Sequence, residues 1–275
     1  MSEELINKYF RPGRLPHIWC PGCGNGIVTG AIVKAIDKEG LNKDEVALIS
    51  GIGCSSRSSG YLDFNTGNTL HGRALAIASG VKMGNPALKV IVCSGDGDCT
   101  AIGGNHLIHA CRRNIDITLV VFNNSIYGMT GGQYSPMTPK GSKATTAPYG
   151  TIEPTFNIPE LAKAAGATFV ARATTFHTQL LVDVIAKGIA HKGFSIIEAV
   201  TACPIGFGRN NRLGGPAKMM EWQRDHGVVQ AAWDKMTDEQ KAGKFPMGVL
   251  YESNDVEEYT EAYEKHIIAA AQGGK

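Results

Sequence analysis

The chain has 275 residues and carries 27 Lys and Arg against 25 Asp and Glu, a formal charge of +2 that argues against nucleic-acid or membrane binding. No apolar stretch reaches the length needed to span a bilayer, and Met1-Ser2-Glu3-Glu4 lacks the basic-then-apolar form of a signal peptide, so a cytoplasmic protein is expected. The 43% hydrophobic content suffices for the core of one large α/β domain, and seven cysteines in that compartment argue for metal binding, catalysis or burial rather than disulfides.

In chain order, Gly24 to Lys38 is predicted helical, with Ile27, Val28, Ala31, Ile32, Ala35 and Ile36 on one broad face. Val46 to Ser50 reads as a short buried strand ending in the turn Gly51-Ile52-Gly53-Cys54. A helix is predicted from Gly72 to Met83, a strand from Lys89 to Ser94, a helix through Asn105 to Arg113, and a strand from Ile117 to Phe122. A long loop separates these from a helix at Ile158 to Ala165, with Pro159 in its first turn. Thr168 to Arg172 and Phe194 to Val200 are the remaining strands, with a helix from Phe176 to His191 between them. Beyond Pro204 the chain is more polar, with helices predicted near Trp222 to Met236 and Val256 to Ala271.

Alternating strands and helices, with strands apolar on both faces, predict an α/β fold whose parallel sheet is covered by helices on both faces. Such a domain occupies residues 1–203, and residues 204–275 form an extension on it or on a partner. Ligands bind these sheets beyond the carboxyl ends of the strands. Gly51 to Cys54, Gly95-Asp96-Gly97-Asp98, Asn123-Asn124 and Thr201 to Cys203 all fall there.

Asp96 and Asn124 end consecutive strands. Their oxygens, with a nearby backbone carbonyl, suit a hard divalent cation held against a diphosphate. Gly95 and Gly97 let the backbone approach phosphate oxygens, and Gly103-Gly104-Asn105 opens a helix whose amides favour an anion. Cys20, Cys23, Cys54 and Cys203 lie in turns and can form an S₄ site for zinc or an iron–sulfur cluster, while Cys20-Pro21-Gly22-Cys23 alone fits a redox dithiol or zinc knuckle equally well. Cys93, Cys99 and Cys111 read as small buried residues. Arg57 either balances thiolate charge or meets a surface carboxylate. Arg209, Arg212 and Lys218 read as a solvated basic loop, with a partner subunit, coenzyme A phosphates or an acidic ferredoxin as alternative contacts.

Gly95 to Asp98 with Asn123-Asn124 resembles the thiamine diphosphate motif of thiamine-dependent enzymes. Together with Trp19-Cys20-Pro21-Gly22-Cys23-Gly24 and Gly51-Ile52-Gly53-Cys54-Ser55, it resembles the β subunits of 2-oxoacid:ferredoxin oxidoreductases over nearly the whole chain. The resemblance implies Mg²⁺ on Asp96, the Asn124 side chain and the Ile126 carbonyl, with Gly95, Gly97 and Asp98 completing the cofactor turn. It implies a 4Fe–4S cluster on Cys20, Cys23, Cys54 and Cys203, and places His71 near the thiamine with Gly72 and Arg73 close by. The activating glutamate of this superfamily comes from a separate pyrimidine-binding domain for which the chain has no room, so an α subunit is the implied partner, with γ and δ subunits as further ones.

The implied reaction is CoA-dependent oxidative decarboxylation of a 2-oxoacid, with electrons passed to ferredoxin. Met129-Thr130-Gly131-Gly132 looks more like the 2-oxoglutarate and branched-chain enzymes than members with a lysine at the position of Gly131. Pyruvate or a branched-chain 2-oxoacid as substrate, a non-redox thiamine decarboxylase or carboligase, and a non-catalytic metal scaffold are the alternatives.

Overall fold

A computed structural model describes residues 1–273. The elements in order are α1 (Glu3–Tyr9), α2 (Asn25–Lys38), β1 (Val46–Ser50), α3 (Ser58–Tyr61), β2 (Asn65–Asn68), α4 (Ala74–Gly84), β3 (Lys89–Gly95), α5 (Gly104–Arg113), β4 (Ile117–Asn123), α6 (Ile158–Ala164), β5 (Phe169–Thr174), α7 (Thr178–Ala190) and β6 (Ser195–Val200). The tail adds α8 (Pro216–His226), β7 (Gly227–Val229), α9 (Gln230–Trp233), α10 (Asp238–Lys241), β8 (Phe245–Glu252), α11 (Tyr259–Tyr263) and α12 (Ala269–Ala271).

All strands join one sheet in the order β2-β1-β3-β4-β6-β5-β8-β7. The run from β2 to β5 is parallel throughout. Every residue of β4 is buried, as a strand covered on both faces requires. On one face Val28, Ile32 and Ile36 of α2 and Leu181 and Ile185 of α7 pack on Leu48, Ile91, Val120 and Ile197. On the other, α4, α5 and α6 contribute Leu75, Leu107 and Ala162 against Val90, Val92, Leu119 and Ile196. Alternate residues of one strand thus feed opposite layers.

The tail departs from expectation. The helix predicted from Trp222 to Met236 is interrupted: α8 stops at His226, Gly227–Val229 is extended, and α9 follows. A Cβ on Gly227 would stand 2.6 Å from Met247 Sδ, so this glycine lets the chain lie against β8. β8 itself reads as no element in the sequence because Pro246 and Gly248 interrupt it, Gly248 at φ +110°. It pairs antiparallel with β5 through an irregularity at Val170/Ala171, so part of the tail belongs to the sheet. The helix predicted from Val256 starts later, at Tyr259, where the Glu258 side chain accepts from the amides of Thr260 and Glu261. Edge strand β2, Asn65-Thr66-Gly67-Asn68, is polar and carries no apolar signal.

Candidate cofactor site

The parallel register pairs Gly95 with Phe122, which sets the Asp96 turn beside Asn123 and Asn124 at the carboxyl edge of the sheet. Here Gly95, Asp96, Gly97, Asp98, Asn124 and Ile126 line one cleft of ≈ 70 Å³ together with His71 and Cys54. Close approach is built in: a Cβ on Gly97 would stand 2.3 Å from the Tyr127 ring. The Tyr127 hydroxyl in turn donates to the Gly97 carbonyl at 3.0 Å.

Asp96 is buried, and among the described residues no cationic side chain offsets it. Burial therefore pushes its carboxyl up to about 7, against the opposing pull of the Ser135 hydroxyl and the backbone amides of Asn124 and Gly97. Such a carboxylate favours an external cation. Asn124 Oδ1 meets only the Ile126 amide, at 3.2 Å, and the Ile126 carbonyl accepts no hydrogen bond among the described residues. Ser125 between them takes φ +62°, an uncommon conformation for a side-chain-bearing residue that lets adjacent residues turn inward. One carboxylate, one carboxamide and one carbonyl fit Mg²⁺ only with phosphate or water completing the shell.

Asp98 has a different place. Its carboxylate accepts from Ser94 Oγ and from the Gly72 amide at 2.7 Å, and pairs with His71 Nδ1. A carboxylate only accepts, so His71 Nδ1 carries the proton and Nε2 is left for the cleft. Asp98 thereby orients His71. A Cβ on Gly51 would overlap Asp98 Oδ2 at 1.8 Å, which explains that glycine. Arg73 stands outside the cleft, its guanidinium donating to the Ile102 carbonyl at 3.4 Å.

Cys20, Cys23, Cys54 and Cys203 come together from the start of α2 and the ends of β1 and β6. Burial pushes the Cys23 thiol up to about 12 and Cys54 up to about 11, and proximity to the other sulfurs adds to both. Cys203 is raised by burial while the Gly206 amide opposes the shift. The Trp19 indole donates to the Cys54 carbonyl at 2.7 Å and fixes the two loops together. Among the described residues no three His, Cys, Asp or Glu side chains converge as around one ion. Four cysteines gathered in this way match in number the thiolates that hold one iron–sulfur cluster or one zinc ion.

Polar atoms left without partners mark the same place. Among the described residues six buried side-chain N or O atoms lack a hydrogen bond, and five of them belong to Asn25, Ser55, Ser56 and Thr201, each within two residues of one of these cysteines. Orphaned donors and acceptors this near to the cysteines along the chain fit solvent or a bound group at that place. Cys93, Cys99 and Cys111 are buried elsewhere in the core.

Comparison with known proteins agrees with this geometry. Residues 51–199 match the family model described as "Thiamine pyrophosphate enzyme, C-terminal TPP binding domain". The chain is 51% identical over 248 residues to "2-oxoglutarate synthase subunit KorB" of Methanothermobacter marburgensis, covering 90% of this chain and 87% of that protein. It belongs to the KorB family of 2-oxoacid oxidoreductase β subunits.

The KorB of Archaeoglobus fulgidus is 55% identical over 204 residues, covering 74% of this chain and 76% of that one. Among solved structures, the 2-oxoglutarate:ferredoxin oxidoreductase of Magnetococcus marinus, with 2-oxoglutarate, coenzyme A and succinyl-CoA bound, is 32% identical at a TM-score of 0.85, covering 100% of this chain and 93% of that one.

Several residues of this KorB-type subunit escape sequence reasoning. Ser135 reaches Asp96 from 39 residues away, with no local motif to announce it. A second cavity of ≈ 810 Å³ lies past the ends of β4, β5 and β6, between the long loop at Pro139–Ser142 and α8. Its floor is a buried ion pair, Arg172 Nε to Glu198 Oε2 at 2.7 Å, with Asn123 Nδ2 on the other carboxylate oxygen. Asn123, paired with Asn124 in the sequence, thus faces the neighbouring cavity.

Proposed function

We propose that this subunit binds thiamine diphosphate through Mg²⁺ on Asp96, the Asn124 side chain and the Ile126 carbonyl, and a 4Fe–4S cluster on Cys20, Cys23, Cys54 and Cys203. It would serve a cytoplasmic 2-oxoglutarate:ferredoxin oxidoreductase that forms succinyl-CoA. The observation that carries this reading is Gly128. It lines the Asp96 cleft, and a Cβ placed on it would stand 3.4 Å from Cys203 Sγ and 3.5 Å from Cys54 Sγ. The diphosphate cleft and the sulfur quartet therefore share one wall, and electrons released on one side have a short path to the other.

The thiazolium of bound thiamine supplies the electron sink for decarboxylation. The chain's own part is to hold and orient: Asp96 and Asn124 anchor the diphosphate through the cation, Tyr127 and Gly97 shape the wall, and Asp98 points His71 Nε2 into the cleft. Among the described residues no glutamate lines that cleft. This supports an α subunit that supplies the activating carboxylate, with γ and δ subunits completing a larger complex. The Met129-Thr130-Gly131-Gly132 sequence and the names of the relatives support 2-oxoglutarate over pyruvate or branched-chain 2-oxoacids.

The test is composition after anaerobic purification with the partner. The complex should be brown, with about four irons per β chain. Asp96→Ala should lose thiamine diphosphate while keeping iron and fold. A colourless complex that retains thiamine diphosphate favours a non-redox decarboxylase or carboligase; thiamine retained by Asp96→Ala refutes the metal assignment.

A further inference from the structure

A chain of buried polar groups holds the Asn124 turn from the side of the second cavity. Arg172 and Glu198 face each other in the register of β5 and β6, and each follows a core residue of the same face, Val170 and Ile196, at the strand period of two. Both charged side chains are buried. Arg172 Nε donates to Glu198 Oε2 at 2.7 Å and Nη2 to Asn157 Oδ1 at 3.1 Å, and the guanidinium carbon stands 5.6 Å from the centre of the Phe245 ring. Glu198 Oε1 accepts from Asn123 Nδ2 at 2.6 Å.

A buried ion pair is weak as a source of stability, because taking both charges out of water offsets much of their attraction. It is strong as a source of geometry. A carboxylate only accepts, so Glu198 decides which way the Asn123 carboxamide faces: Nδ2 toward the carboxylate, Oδ1 away from it. Oδ1 then takes the Ser125 amide at 3.1 Å. The Ser125 carbonyl accepts from the Thr138 hydroxyl at 2.6 Å, and Thr138 Oγ1 accepts from the Ser135 amide at 2.9 Å. Ser135 donates its own hydroxyl to Asp96. The run from Arg172 to Asp96 therefore grips Ser125 at both its amide and its carbonyl, and Ser125 is the residue at φ +62° between Asn124 and Ile126.

We propose that Glu198, held by Arg172, is a positioning residue for the cation site. Acting through Asn123, it keeps Ser125 in the uncommon conformation that presents Asn124 Oδ1 and the Ile126 carbonyl to one ion. The proposal rests on the reading that Asp96, Asn124 and Ile126 hold Mg²⁺. Neither Glu198 nor Arg172 lines the Asp96 cleft, so their effect on the ion passes through the turn.

The experiment titrates Mg²⁺ into the purified complex, stripped of thiamine diphosphate and metal, at a fixed concentration of added thiamine diphosphate, and reads binding by calorimetry. Glu198→Gln leaves Asn123 facing an amide that cannot serve both neighbours, and Asn123→Asp sets two carboxylates against each other. Each should lower the apparent Mg²⁺ affinity by about tenfold or more while the complex keeps its iron and its partner subunit. A charge effect alone would move the two in opposite directions, since one removes a negative charge near the site and the other adds one. The double variant Asn123→Asp with Glu198→Gln exchanges donor and acceptor at unchanged total charge and should recover most of the loss. Wild-type affinity in both single variants, shifts of opposite sign, or a double variant no better than the singles overturns the proposal. Loss of iron or of the partner subunit along with thiamine overturns it too, because the network is then a general brace. Thiamine diphosphate binding to the wild type that is indifferent to Mg²⁺ would instead overturn the metal reading, and this inference with it.

Discussion

A buried carboxylate without a cation beside it destabilises the chain that carries it, and Asp96 is in that position. Its folded-state pKa is raised from 3.8 to about 7, so the folded state holds a proton that the unfolded state releases. The contribution of Asp96 to stability is therefore fully present below pH 3.8 and is lost as pH rises through about 7. Asp96→Asn should make the cofactor-free complex more stable at pH 8, on the order of 2–4 kcal/mol at about 1.4 kcal/mol per unit, with little change at pH 4. Denaturant unfolding at both pH values checks this, and equal stability at pH 8 would contradict it. The orphaned hydroxyl of Thr201 behaves similarly. Thr201→Val should stabilise the cofactor-free complex by about 1 kcal/mol, as denaturant unfolding will show. Gly51→Ala, by contrast, drives a methyl into Asp98 and should destabilise by about 1–3 kcal/mol while unseating His71.

At the level of elements, what could be read in the sequence follows the strength of the apolar signal. Val90 to Val92 and Leu119 to Phe122 are continuous apolar runs that only a doubly covered strand accommodates, and they became β3 and β4. That the Asp96 turn lies beside Asn123 and Asn124 followed from the parallel order. β2 was invisible because an edge strand needs backbone partners more than apolar side chains, and β8 because Pro246 and Gly248 break its pattern while its partners β5 and β7 are supplied by tertiary contact. Ser135 and the Arg172–Glu198 pair were hidden for the same reason, since residues far apart in sequence meet only in the fold. The opposite edge of the sheet shows another such meeting. Lys82, buried at the end of α4, donates to Asp116 at 2.6 Å and to the Leu88 carbonyl at 2.9 Å. The Glu258 carboxylate takes the Asp116 amide and ties the tail to the same spot. Lys82→Ala should cost about 3–5 kcal/mol by leaving Asp116 buried without its main partner, as thermal unfolding will show. The complex should still bind thiamine diphosphate while folded, because the pair lies at the end of the sheet away from the cleft.

Taken whole, the molecule gathers its chemistry on the carboxyl edge of one sheet. Asp96 and Asn124 end the central strands, the sulfurs rise from β1, β6 and the start of α2, and Gly128 stands between them. The cysteine motifs and the diphosphate motif were each legible in the sequence. That they share a wall was not, because Gly128 carries no side chain and its importance is the space it leaves. If electrons cross this wall as proposed, freeze-quenched electron paramagnetic resonance of the anaerobic complex, mixed with 2-oxoglutarate in the absence of any carrier, will detect it. The signal of a reduced 4Fe–4S cluster is expected in the wild type and none in Asp96→Ala. A wild-type complex that contains iron and thiamine diphosphate yet gives no signal on adding 2-oxoglutarate would contradict it.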